Sequence, residues 1–125
     1  MEFTTIKGFK DILPDEIETW KHIERAASAL LESFGFTEIR LPILENTMLF
    51  QRSIGELTDI VEKEMYSFSD KGGDRVTLRP EFTAAVVRAY LEHGMQVQPQ
   101  PVKLYYFASI FRYERPQSGR LREHH

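Results

Sequence analysis

Residues 64–94 read "EMYSFSDKGGDRVTLRPEFTAAVVRAYLEHG" and decide the fold. Two segments of alternating character, "EMYSFSD" and "RVTLRP", flank the glycine turn "KGGD", a pattern that predicts a β-hairpin. The apolar spacing then changes. "EFTAAVVRAYLEHG" predicts a helix that opens just after Pro80 and closes at Gly94, a residue suited to a left-handed terminus.

Upstream, residues 11–36 ("DILPDEIETWKHIERAASALLESFGF") read as an amphipathic helix. Ile17, Trp20, Ile23, Ala27, Leu30 and Phe34 recur every three or four positions and predict one buried stripe. Pro14 suits the first helical position, Asp15 and Glu16 the positive end of the dipole, and Gly35 the stop. The next run, "FTEIRLPIL", alternates Ile39, Leu41 and Ile43 against Glu38 and Arg40. Pro42 inside it predicts an edge strand or one that bends. Residues 45–64 are patternless. Downstream, "QVQPQP" leads into "VKLYYFASIFR" (102–112), the most strand-like run, with Phe107, Ser109 and Phe111 expected on one face and Tyr106, Ala108 and Ile110 on the other. Helix, strand, hairpin, helix and strand predict an α+β fold, a mainly antiparallel sheet flanked by helices, in one domain over 1–125 with no repeat.

Composition narrows the function classes. With 42% apolar and 28% charged residues in 125, the chain has the make-up of a water-soluble globular domain. Its apolar runs are too short to span a bilayer, and the start "MEFTTIKGFKD" lacks a secretory pattern, so a cytoplasmic location with no membrane partner is the expectation. The absence of cysteine removes disulfides and thiolate metal sites. From Lys103 onward five cations face two carboxylates, whereas the whole chain carries a net charge of −3. An acidic body with a basic terminal segment suits a localised anion site better than general nucleic-acid coating.

Two segments could carry chemistry. In "IFRYERPQSGRLRE" (110–123), Arg112 follows a strand, and its planar guanidinium suits phosphate oxygens. Glu114 would share its face, and an Arg112–Glu114 ion pair on a solvated sheet is the plainer reading. Arg115, Arg120 and Arg122 lie on a turn marked by Pro116 and Gly119, which could fold over a polyanion or face solvent. In "TLRPEFTA" (77–84), Arg79 ends a strand, and Glu81 and Thr83 fall near a helix start. They could cap that helix or receive an ammonium group; spacing leaves both open. His22, His93, His124 and His125 have no metal-ligand spacing, so no metal site is expected, and the final pair reads as native or as the remnant of an affinity tag. No GxxxxGK[ST] or GxGxxG cradle occurs, so arginines would have to hold any nucleotide.

Taken in order, "GFKDILPDE", "FGFTEIRLPILE", "DIVEKEMYSFSDKGG", "TLRPEFTAAVVRAYLEH" and "KLYYFASIFRYERPQSGRLRE" resemble the amino-terminal part of histidyl-tRNA synthetase, a class II aminoacyl-tRNA synthetase. The resemblance runs from Gly8 to Glu123. It implies a partial class II catalytic domain in which the Pro14 helix and the Pro42 strand correspond to motif 1, the homodimer interface, and "FRYERPQSGR" to motif 2. It further implies that Arg112 grips the α-phosphate of ATP, Glu114 contacts the adenine end, Arg120 reaches the γ-phosphate, and Glu81 and Thr83 receive the α-ammonium of histidine. The implied substrates are ATP with Mg²⁺, histidine and tRNA(His), the implied activity histidine–tRNA ligation through histidyl-adenylate.

Two departures from the family pattern stand out: Phe82 is bulky where a small residue or proline is usual, and His124 stands where an aromatic is expected. Motif 3, the histidine-specific arginine segment and the anticodon-binding domain lie outside these 125 residues, so the expectation is a fragment inactive by itself. A synthetase-like, non-catalytic regulatory subunit of ATP phosphoribosyltransferase is the alternative; it tends to lose motif 2 arginines, which this sequence keeps. A free-standing dimerisation module is the third reading.

Overall fold

A computed structural model of the chain describes residues 2–54, 63–114 and 120–125. Helix α1 spans Pro14–Ser33, with Pro14 in its first turn beside Asp15 and Glu16, as expected. Gly35 adopts φ +83°, which costs glycine nothing. That conformation lets Gly35 N donate to Glu32 O at 3.0 Å and Phe36 N to Leu31 O at 3.1 Å, the paired bonds of a Schellman stop.

The predicted strand through Pro42 bends. Strand β1 (Thr37–Glu38) precedes the proline and β2 (Leu44–Asn46) follows it, each in a different sheet. Residues 47–54, patternless by eye, form helix α2 (Thr47–Ile54), whose first turn is fixed by Met48 N donating to Asn46 Oδ1 at 2.9 Å. The hairpin forms as read: β3 (Ser67–Ser69) and β4 (Arg75–Leu78) pair antiparallel, Phe68 opposite Val76. Its turn is closed by Asp74 N donating to Asp70 Oδ1 at 2.9 Å, with Gly73 at φ +91°. Strand β2 adds antiparallel to the other side of β4, giving the order β2-β4-β3. Helix α3 (Thr83–Glu92) follows, stopping before Gly94 at φ +67°.

Residues 102–112 were expected as one continuous strand and are not. Strand β5 (Leu104–Tyr105) pairs parallel with β1, while β6 (Ile110–Phe111) pairs antiparallel with β7 (Glu123–His124). Residues 106–109 between them change partners, and the Ser109 carbonyl is taken by a side chain, Arg79 Nε at 2.6 Å, so the alternating two-face pattern does not extend through the segment. The α+β class holds, with its strands in three small sheets, one of them parallel.

The core is small and sits around β4 and α3. Phe50 is fully buried, with Ala84, Ala85 and Ala89 of α3 and, from the later strands, Tyr105 and Phe111. Thr77, also fully buried, is satisfied by Thr47 Oγ1 at 2.8 Å and Ser67 Oγ at 2.7 Å, which pins β2's exit and β3 to the central strand. The stripe on α1 was expected to be buried but is largely not: Ile23, Leu30 and Phe34 are 56%, 60% and 64% exposed. Its first half lines a cleft of about 450 Å³ with Phe82 and Tyr106, and no described element covers its second half.

Candidate functional site

The end of β4, the start of α3 and the end of β6 converge. Arg79 N donates to Ile43 O and Phe111 N donates to Arg79 O, both at 2.9 Å, so the backbone of Arg79 is sandwiched between the bend and β6. Pro80, buried, cannot continue the ladder and turns the chain into α3. The Glu81 carboxylate then accepts from Thr83 N at 2.5 Å and from Ala84 N at 3.2 Å. Glu81, one residue before the N-cap Phe82, therefore satisfies first-turn amides that the helix itself leaves open. Thr83, the first residue of α3, is exposed. Both line an apolar cleft of about 670 Å³ with Leu49, Val87, Arg88 and Leu91.

Arg112 stands directly after β6, half-buried, and its Nε donates to Pro80 O at 2.8 Å. That bond ties it to the Glu81 turn and fixes the plane of the guanidinium. No described residue accepts from its two terminal nitrogens, which leaves a flat pair of donors for an anion. The expected Arg112–Glu114 ion pair does not form. The strand ends at Phe111, Glu114 N folds back to Arg112 O at 2.8 Å, and the Glu114 carboxylate lies 3.7 Å from His124 Nε2 instead. Arg120 is exposed, with no described side-chain partner, and neither it nor Glu114 lines the Glu81 cleft. The structure thus places Glu81 and Thr83 in one cleft and ties Arg112 to the Pro80 carbonyl beside them, and none of Arg112, Glu114 and Arg120 lines that cleft. Arg115 and the turn at 116–119 lie outside the described residues.

Arg122, read as one of three turn cations that fold over a polyanion or face solvent, is held against its own chain rather than free in solvent. Its guanidinium sits 3.9 Å above the Tyr113 ring, its Nε donates to Glu114 O at 2.8 Å, and its stem packs on Gly8. Gly8 O accepts from Arg122 N at 2.7 Å and from Glu123 N at 3.3 Å, so the amino-terminal segment clasps the return strand. Phe82, bulky where a small residue is usual, packs against Tyr106, ring centroids 4.5 Å apart. Burial, and second the charge of Glu81, push the Tyr106 phenol up.

Two charged groups were missed by sequence reasoning. Glu45 is buried and accepts from Arg88 Nε at 2.9 and 3.0 Å, with Arg88 also paired to Glu92. Arg79 is 5% exposed, and burial lowers its pKa. Arg79 ends an alternating segment, where a charged residue reads as facing solvent, and Glu45 opens the patternless stretch, where nothing marks a buried partner; only the Arg-Pro junction hinted at a special place.

Among the described residues no helix is long and apolar enough to cross a membrane, and no group of three His, Asp or Glu could hold a metal ion. The histidyl-tRNA synthetase family model matches residues 8–125. The histidine–tRNA ligase of Geobacter sulfurreducens is 61% identical over 122 residues, covering 98% of this chain and 30% of that protein. That of Thermodesulfovibrio yellowstonii is 55% identical over 125 residues, covering 100% of this chain and 30% of its own length. The chain spans about 30% of the length of these curated relatives. The crystal structure of apo S. aureus histidyl-tRNA synthetase superposes with a TM-score of 0.77 at 46% identity, over 89% of this chain and 26% of that one. A Bacillus halodurans protein described as an ATP phosphoribosyltransferase regulatory subunit/histidyl-tRNA synthetase reaches the same TM-score of 0.77 at 24% identity, a likeness of fold alone.

Proposed function

Because this chain belongs to the histidyl-tRNA synthetase family, we propose that it is the amino-terminal part of a cytoplasmic histidine–tRNA ligase. The parent protein activates histidine with ATP to histidyl-adenylate and passes the histidyl group to tRNA(His). The observation that carries this reading is Arg112: its guanidinium is locked by one bond to Pro80 O, beside the Glu81 turn, with its outer nitrogens open.

Adenylate formation needs position and neutralised charge rather than a nucleophilic side chain. The histidine carboxylate oxygen bonds to the α-phosphorus as the bond to pyrophosphate breaks, and negative charge gathers on the phosphoryl oxygens. A guanidinium already aimed there neutralises it without reorganising solvent, an effect worth about 3 kcal/mol per donor. In this reading Arg112 holds the α-phosphate, Arg120 the γ-phosphate and Glu114 the adenine end. Glu81 and Thr83, side by side at the head of α3, receive the α-ammonium of histidine; the Glu81 carboxylate, already accepting two amides, is held ready. Mg²⁺ characteristically keeps its waters and binds through substrate phosphates with one or two carboxylates. It would neutralise the triphosphate, and this segment's own contribution is arginine.

The exposed outer half of α1 and the Pro42 bend supply an apolar face for the homodimer that motif 1 implies. The regulatory-subunit reading has the shared fold in its favour, but Arg112, Glu114, Arg115 and Arg120 are all retained. Histidine-dependent ATP–pyrophosphate exchange tests the proposal: the full-length parent is expected to exchange and these 125 residues alone are not. A full-length protein that fails to exchange would overturn it.

A further inference from the structure

We infer that Arg79 is a positioning residue that locks the Pro42 bend, the Ser109–Arg112 segment and the Pro80–Glu81 turn into one unit. The inference rests on the functional reading above for the ligands concerned, and on this structure for the linkage.

The geometry is unusual for a buried cation. A buried guanidinium is ordinarily paired with a carboxylate, because an isolated one loses its hydration without return. Arg79 is 5% exposed, yet no carboxylate among the described residues pairs with it. Backbone carbonyls solvate it instead: Nε donates to Ser109 O at 2.6 Å, and Nη1 to Leu41 O at 3.1 Å and Pro42 O at 3.4 Å. Its carbon Cζ lies 5.4 Å from the centroid of the Phe82 ring, which closes another side.

These acceptors come from two segments that are far apart in sequence and irregular in backbone. Residues 106–109 have left the ladder, and Leu41 and Pro42 sit between two strands of different sheets. No regular hydrogen-bond ladder spans them, and the planar fork does so in its place. Through its own backbone the same residue joins Ile43 and Phe111. One step further, Arg112 Nε reaches Pro80 O, and Glu81 accepts from first-turn amides of α3. The position of Arg112 relative to Glu81 is therefore set in part through Arg79 and its neighbour Pro80, beside the bond from Tyr113 N to Glu64 O and the packing of Phe82 on Tyr106. A lysine could reach one of these carbonyls but could not fork between Ser109 and the bend.

The test uses the full-length protein with Arg79→Lys, and Phe82→Leu, which removes the ring beside the guanidinium but leaves the carbonyl contacts. Folding is checked by circular dichroism, and histidine-dependent ATP–pyrophosphate exchange gives KM and kcat for both substrates. In Arg79→Lys both KM values are expected to rise together and kcat to fall, on the order of tenfold or more, as misplacement of a site predicts. Phe82→Leu should shift both KM values in the same direction by less. Unchanged constants, or a shift in only one KM, would overturn the inference while leaving the activity standing. Should Arg79→Lys fail to fold, Phe82→Leu decides on the same criterion. Should the wild-type protein show no histidine-dependent exchange, the functional reading fails separately; the linkage is then decided by amide exchange, which must accelerate together at Phe111 and Ala84 in the variant and would refute the linkage if unchanged.

Discussion

Arg112 and Pro80 are joined by a single hydrogen bond of 2.8 Å, from guanidinium Nε to backbone carbonyl, and through it the basic segment after β6 is fastened to the head of α3. The bond uses the inner nitrogen and spares the outer two. An arginine proposed to face phosphate thus gains a fixed plane from a neutral acceptor that does not compete for its charge.

Gly8 is the first position for substitution. A Cβ there would lie 2.5 to 2.8 Å from Cγ, Cδ and Cβ of Arg122, and φ is +90°, so both space and backbone conformation exclude other residues. Gly8→Ala should destabilise the fold by about 1–3 kcal/mol through overpacking and strain. Chemical denaturation should show an earlier midpoint, and an unchanged midpoint would mean that the clasp on the return strand is not formed.

The Glu45–Arg88 pair makes a second case. Glu45 is 5% exposed at its side chain, so Arg88→Met strands a carboxylate with no counterion, at a cost of about 3 kcal/mol. Arg88→Met together with Glu45→Met leaves no stranded charge and should be less destabilised than Arg88→Met alone. A double variant that is the weaker of the two would show that the unpaired Glu45 carboxylate carries no net desolvation penalty at this place.

Tyrosine titration gives a pH dependence. Burial raises the Tyr66 phenol, with Arg122 opposing, and burial followed by the Glu81 charge raises that of Tyr106. Groups whose folded value is raised hold their proton longer in the native state. Their stabilising contribution is complete below the ordinary tyrosine value of 10.0 and is lost as pH climbs through the higher folded values. Phenolate absorbance of the native protein should rise later than that of the unfolded chain, and Glu81→Gln should bring Tyr106 part of the way back. Coincident native and unfolded titrations would refute the placement of both rings.

Local chemistry was legible where one residue sets the backbone. Pro14, Gly35, Gly73 and Gly94 each fall at a boundary that the sequence marks, and the helix and hairpin between them follow. What could not be read was partnership. The run at 102–112 looks continuous because each residue favours extended backbone, yet its two ends pair with different strands and Arg79 takes the carbonyl between them. The stripe on α1 predicts a buried face, but periodicity does not say what covers Leu30 and Phe34. For the site, Glu81 and Thr83 line one cleft and Arg112 is bonded to the neighbouring Pro80 carbonyl, while the face shared by Arg112 and Glu114 vanished with the strand that would have supported it.

The most direct measurement is histidine-dependent ATP–pyrophosphate exchange by the full-length protein and its Arg112→Ala variant. Loss of one preorganised donor at the reacting phosphate should lower kcat on the order of 100- to 1000-fold with the fold intact by circular dichroism. An Arg112→Ala enzyme that exchanges at the wild-type rate would show that this guanidinium does not hold the α-phosphate.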